Sequence, residues 1–200
     1  SDFLTKGPVK EEFENKVSNF LNVKYSISII NASSALILAC KALDIKKNDI
    51  VWTSANTYVS SITCALHCGA KIDLVDISLD DYNIDVSLLE KKLIQAKNKN
   101  KLPKIIILVH LAGYPNELDR INSLSKKYKF MIVVDASHAF GSKYKNSKIG
   151  NCKYSEMTIF SFHPVKTITS AEGGIITTNN KKYYDKILEL RENGIVRKKN

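Results

Sequence analysis

The chain has 200 residues, 44% hydrophobic and 25% charged, a balance that suits one folded soluble domain with a sizeable core and excludes a disordered chain. Its net charge of +10 favours an anionic partner, but the lysines are scattered among asparagines and acids rather than interleaved with aromatics, which speaks against a nucleic-acid platform. Nowhere does an apolar run approach the roughly eighteen residues of a membrane span, and no apolar signal core follows Ser1, so neither a membrane protein nor a secreted one is expected.

In chain order, apolar strand-like runs alternate with segments of helical period. The spacing of Phe13, Val17, Phe20 and Leu21 predicts a helix over about 9–20, and residues 26–30 read as a strand. A helix over 34–43, a strand over 49–52, a helix over about 58–68 and a strand over 71–75 follow. Beyond them come a helix over 86–96, a buried strand over 104–109, a helix over 118–128 and a second buried strand over 130–134 that ends on Asp135. Residues 156–162 and 174–178 read as strands on either side of a lysine-bearing loop, and 181–191 as a charged closing helix. The pattern predicts an α/β fold, three layers with a mostly parallel central sheet, and one domain spanning residues 1–200. In such sheets ligands collect at the carboxyl ends of the strands.

Cys40, Cys64, Cys68 and Cys152 are irregularly spaced, and the first three fall in apolar, helix-like surroundings, which points to free thiols in a reducing cytoplasm. Cys64, His67 and Cys68 have the residue types of metal ligands, but no second paired motif completes a tetrahedral set, and no metal is expected.

Four features converge on one chemistry. The run Asn31-Ala32-Ser33-Ser34-Ala35 is a strand end opening a helix through small and hydroxylated residues, either an anion-binding helix start or an ordinary serine cap. Asp135 ends a buried strand, where its carboxylate either caps the next turn or pairs with a cation such as the protonated pyridine nitrogen of pyridoxal phosphate. Tyr58, read as just inside a helix, is either a core aromatic or a platform for a planar ring. Lys166 lies in Ser161-Phe162-His163-Pro164-Val165-Lys166, followed by Gly173-Gly174; a lysine so framed suits Schiff-base chemistry, and Ser161 is placed to reach the same phosphate.

With these runs, Asn83-Ile84-Asp85, Val109-His110-Leu111-Ala112-Gly113-Tyr114-Pro115, Asp135-Ala136-Ser137-His138-Ala139-Phe140-Gly141 and the opening Ser1-Asp2-Phe3-Leu4-Thr5-Lys6-Gly7-Pro8, the chain resembles the DegT/DnrJ/EryC1/StrS sugar aminotransferases almost end to end. The resemblance implies the large domain of the fold type I aminotransferases and pyridoxal 5'-phosphate as cofactor. It makes Lys166 the Schiff-base lysine and proton shuttle, Asp135 the partner of the pyridine nitrogen and His138 the neighbour of the ring hydroxyl. Ala32, Ser33 and Ser161 become phosphate ligands, with Tyr58 over the ring face.

The implied substrates are glutamate as amino donor and a nucleotide-linked keto sugar; the likeness leans toward members that aminate C4 of a UDP-4-keto-6-deoxy-N-acetylhexosamine. A cytoplasmic homodimer is implied as well. Family members run to roughly twice this length, so a truncated form without the C-terminal small domain and the extreme amino-terminal segment is expected. In the family, a partner subunit supplies an asparagine to the cofactor phosphate from beyond the point matching Asn200. Two alternatives stay open: a remnant that folds without turnover, and a protein that binds the cofactor without chemistry.

Overall fold

Five-residue runs of β-branched and apolar side chains become the strands at the centre of a seven-stranded sheet. The chain, described over residues 7–195 by a computed structural model, orders its strands β1 (Tyr25–Ile29), β9 (Gly174–Thr178), β8 (Met157–Ser161), β5 (Met131–Asp135), β4 (Ile105–Val109), β2 (Ile50–Ser54) and β3 (Lys71–Val75). The family-like opening up to residue 6 and the closing basic residues 196–200 lie outside the described residues. Strands β4, β8 and β9 are buried along their whole length, as expected for strands covered on both faces. Strand β3 is one of the two edges and is mostly exposed.

Side chains alternating across these strands feed two cores. One lies under α1 (Pro8–Leu21), α4 (Val86–Asn98) and α5 (Leu118–Tyr128), with Leu89, Leu93, Ile106, Ile121 and Phe160 fully buried. The other lies under α2 (Ala32–Ala42), α3 (Ser60–Leu66) and α6 (Lys181–Arg191), with Ile27, Leu36, Ile107, Ile159 and Ile187 fully buried. The α/β/α layering is therefore built from strands of period two between amphipathic helices. Local chemistry sets the helix ends: Asp85 accepts from the N–H groups of Ser87 and Leu88, Asn180 accepts from Lys182, and α1 stops at Asn22 in the left-handed region. Glu14 of α1 accepts from Ser28 of β1 and from Arg191 of α6 at 2.8 Å, tying three elements together.

Strand direction positions the site. All neighbouring pairs from β8 across to β3 are parallel, whereas β9 runs antiparallel to both β8 and β1. The carboxyl ends of β1, β5 and β8 and the amino end of β9 thus share one rim. Gly174 pairs with Ile29 on one side and Ser161 on the other. A Cβ built on Gly174 would sit 2.5 Å from the Asn31 carbonyl carbon and 2.7 Å from the Ala32 nitrogen, so only glycine lets these backbones close up.

Two sequence expectations are corrected, and two small elements are added. Helix α2 begins at Ala32 and is capped by Asn31, whose side chain accepts from Ser34 N–H at 2.9 Å; the serines are inside the helix. Tyr58 precedes α3, because the chain first makes a turn in which Ser61 N–H donates to the Tyr58 carbonyl. Residues 143–144 and 147–148 form a small hairpin, and 111–113 a 3-10 turn, neither of which was anticipated.

Gly174→Ala is expected to destabilise the fold by about 2–4 kcal/mol, since backbone rather than a flexible side chain must move. A urea melt checks it; an unchanged midpoint refutes the close-approach argument.

Candidate functional site

A cleft of about 350 Å³ opens at this rim, walled by residues from α2, the start of α3, the carboxyl ends of β4, β5 and β8 and the 162–173 loop. Ala32, Ser33, Tyr58, Asp135, His138, Ser161 and Lys166 all line it, so the structure brings the seven sequence candidates together. A larger groove of about 890 Å³ between α2 and α6 is walled by intermixed Lys, Asp and Glu side chains and contains none of them.

One end of the cleft is built for an anion. The N–H groups of Ala32 and Ser33 occupy the first turn of α2, where no intrahelical acceptor exists, and the helix dipole adds positive potential. Ser33 Oγ lies 2.7 Å from Ser60 Oγ, so the two hydroxyls form a pair on the cleft wall. Ser161, across Gly174 in the sheet, supplies a third hydroxyl.

At β5, Asp135 is 4% exposed, and its carboxylate is held from both sides. Oδ1 accepts from Ser137 N–H at 3.1 Å and Ser137 Oγ at 2.6 Å, while Oδ2 accepts from Ser61 Oγ at 2.6 Å. Three donors offset the desolvation of a carboxylate placed almost out of water.

Lys166 and His138 face each other, Nζ to Nε2, at 2.9 Å. Burial, then the neighbouring Lys166, pushes the His138 ring below the usual 6.5, with Asp135 opposing, so the ring is neutral at pH 7. Where Nζ donates, Nε2 is the acceptor and the ring proton sits on Nδ1. The loop carrying Lys166 is fastened at its base: Phe162 N–H donates to the Gly173 carbonyl at 2.8 Å, and the Phe162 carbonyl accepts from Ser170 N–H and Thr169 Oγ1. The Phe162 ring is wedged edge-on against Phe13 and Phe140 at 5.4 Å. Tyr58, 70% exposed, lines the cleft rather than the core.

Ser60, Ser61 and His110 escaped the sequence reading. The Ser60-Ser61 pair in a turn opening a helix was the available signal; His110 lay within a quoted motif but had no assigned role. His110 is fully enclosed, and its Nδ1 accepts from Asn116 N–H at 3.3 Å and Asn116 Nδ2 at 2.9 Å. The proton therefore sits on Nε2, which has no partner among the described residues. Burial lowers this ring to about 3. Paired hydroxyls beside a helix start, a clamped carboxylate and an amine lining one cleft fit a flat heteroaromatic phosphate bearing a carbonyl. Among the described residues no cluster of His, Cys, Asp and Glu could hold a metal ion, and no helix is long and apolar enough to cross a membrane.

The sequence model of the DegT/DnrJ/EryC1/StrS aminotransferase family matches residues 1–200. A UDP-4-amino-4,6-dideoxy-N-acetyl-beta-L-altrosamine transaminase of Campylobacter jejuni is 42% identical over 198 residues, covering 99% of this chain and 51% of that protein. Among solved structures, Helicobacter pylori PseC, an aminotransferase involved in the biosynthesis of pseudoaminic acid, superposes with a TM-score of 0.89 at 32% identity, over 100% of this chain and 52% of that one. NtdA of Bacillus subtilis, with bound cofactor PMP, gives a TM-score of 0.83 at 27% identity, over 92% and 40%. The chain spans about half the length of the curated relatives it matches.

His110 also sets an acid limit. Between its unfolded value of 6.5 and its folded value of about 3, the unfolded chain binds a proton that the folded chain refuses. Its contribution is complete above 6.5 and is lost as pH falls toward 3. The urea midpoint should drop from about pH 7 to about pH 4.5, and less steeply in His110→Gln; equal slopes would show that His110 is not the group responsible.

Proposed function

The chain belongs to the DegT/DnrJ/EryC1/StrS aminotransferase family, and on that premise we propose that it forms the cofactor-binding large domain of a pyridoxal phosphate-dependent sugar aminotransferase. The observation that carries the reading is Lys166 Nζ and the doubly clamped Asp135 carboxylate in one cleft with the α2 anion corner. Pyridoxal phosphate supplies a carbonyl that condenses with amines and an electron sink that stabilises the carbanion left by proton removal.

This chain's residues then have separable tasks. Ala32, Ser33 and Ser161 bind the phosphate, with the first-turn N–H groups donating. Asp135 would accept from the pyridine N–H and keep that proton in place. Tyr58 would cover one ring face and exclude water from it. His138, neutral and within hydrogen-bond reach of Lys166, holds the amine in position beside the ring hydroxyl. Lys166 would hold the cofactor through Nζ and would serve as the base that moves the proton at the amine-bearing carbon.

For the reaction we propose transfer of an amino group from glutamate to the keto group of a nucleotide-linked deoxysugar, with a UDP-4-keto-6-deoxy-N-acetylhexosamine as the sugar, carried out by a cytoplasmic homodimer. The named activity of the Campylobacter relative supports this sugar class. In a second reading, residues 1–200 bind the cofactor without turnover.

Incubation with pyridoxal phosphate, borohydride reduction and peptide mass analysis should put a pyridoxyl group on the Lys166 peptide and none in Lys166→Ala; a wild-type chain without the adduct defeats the cofactor assignment. Amine transfer from glutamate to the UDP-4-keto sugar should fall by at least about a hundredfold in Lys166→Ala. Adduct without any transfer would select the second reading.

A further inference from the structure

We infer that Ser61 is a positioning residue for Asp135, and through it sets the protonation of whatever Lys166 Nζ binds; the inference rests on the reading of the cleft as a pyridoxal phosphate site. The main chain at Asp135 is already immobile: it pairs with Val109 in the sheet, its carbonyl accepts from His110 N–H at 3.0 Å, and Ala136 N–H donates to Ile159. What the sheet leaves undetermined is the plane of the carboxylate. Ser137, two residues on, serves Oδ1 but belongs to the same turn, so it does not orient the group against the rest of the molecule.

Ser61 comes from a different element, 74 residues away, and meets Oδ2 at 2.6 Å. Both partners are enclosed, Ser61 at 1% and Asp135 at 4% exposure, so water does not substitute for the bond. With Oδ1 held by a donor of its own turn and Oδ2 by one from α3, the carboxylate plane is determined, and an in-plane lone pair remains for a ring N–H. The adjacent Ser60 pairs with Ser33 in the anion corner at 2.7 Å. One dipeptide therefore spans the carboxylate end and the phosphate end of the cleft and fixes the distance between them.

Without the Ser61 hydroxyl, Oδ2 lacks its cross-element donor and the carboxylate plane is free to turn. A ring nitrogen held less firmly as N–H withdraws fewer electrons from the nitrogen bound at Lys166, so the proton there is retained to higher pH.

The test is cofactor binding and absorbance, not turnover. In Ser61→Ala, the pyridoxal phosphate dissociation constant should rise on the order of tenfold. The pH midpoint of the visible absorbance of the bound cofactor should move upward by about half a unit or more. Ser61→Thr, which keeps the hydroxyl, should restore both to within about twofold and a few tenths of a unit. Ser61→Cys, close in size with a weak donor, should fall between them and keeps the question answerable if the alanine chain fails to fold. A folded Ser61→Ala, or failing it Ser61→Cys, that binds and titrates like wild type overturns the inference while the wild-type Lys166 adduct still forms; so does equal impairment of the alanine and threonine chains. A wild-type chain that forms no Lys166 adduct instead removes the reading beneath it.

Discussion

A carboxylate withdrawn almost completely from water at the end of β5 must find donors close by, and the arrangement around Asp135 is organised by that requirement. Ser137 meets it from the turn that carries His138, and Ser61 from the start of α3. Satisfying one buried charge thereby locks the turn that faces Lys166 and the helix that flanks the anion corner. The rest of the cleft is referenced to that point: His138 is placed by the Asp135 turn, and Gly113 packs so tightly against the His138 carbonyl that a Cβ there would lie at 2.7 Å.

The sheet supplies the second half of the construction. Parallel strands deliver their carboxyl ends to one rim, where backbone pairing stops and polar groups are left for a ligand. Gly174 lets β1 and β9 approach closely enough that the Asn31-capped helix start and Ser161 flank one corner, two strand spacings apart. Removing bulk at one position is what places two phosphate-directed elements side by side.

Much of this was legible in the residues. Ile105–Val109 and Met131–Asp135 are short, dominated by β-branched side chains and free of glycine and proline, and they form central strands where the pattern placed them. The cleft residues were legible as separate runs of small, acidic, aromatic and basic residues at strand ends. The mostly parallel sheet was legible too, but the reversal of β9 was not, because an apolar run such as Gly174–Thr178 has the same alternation read either way. Nor was the Ser61 bond: a hydroxyl that finds its acceptor 74 residues away leaves no periodic trace. The Tyr58 turn was hidden because Val59 and Ser60 continue the helical pattern while the backbone has not yet closed its first helical bonds. His110 was masked for another reason, since its neighbour Asn116 dictates the tautomer and nothing local announces that contact.

The reversed direction of β9 has a consequence for motion. A parallel successor to β8 would have to cross the whole sheet before returning, whereas an antiparallel one leaves residues 162–173 as a hairpin-like tether anchored at both ends. Phe162 bonds to Gly173 at the neck, so the tether opens from a closed base. An amine that must let go of its partner and then recapture it is confined by such a tether to the volume above the cleft. Its effective concentration there is of at least about millimolar order, which makes recapture an intramolecular event set by tether length rather than by diffusion from solution.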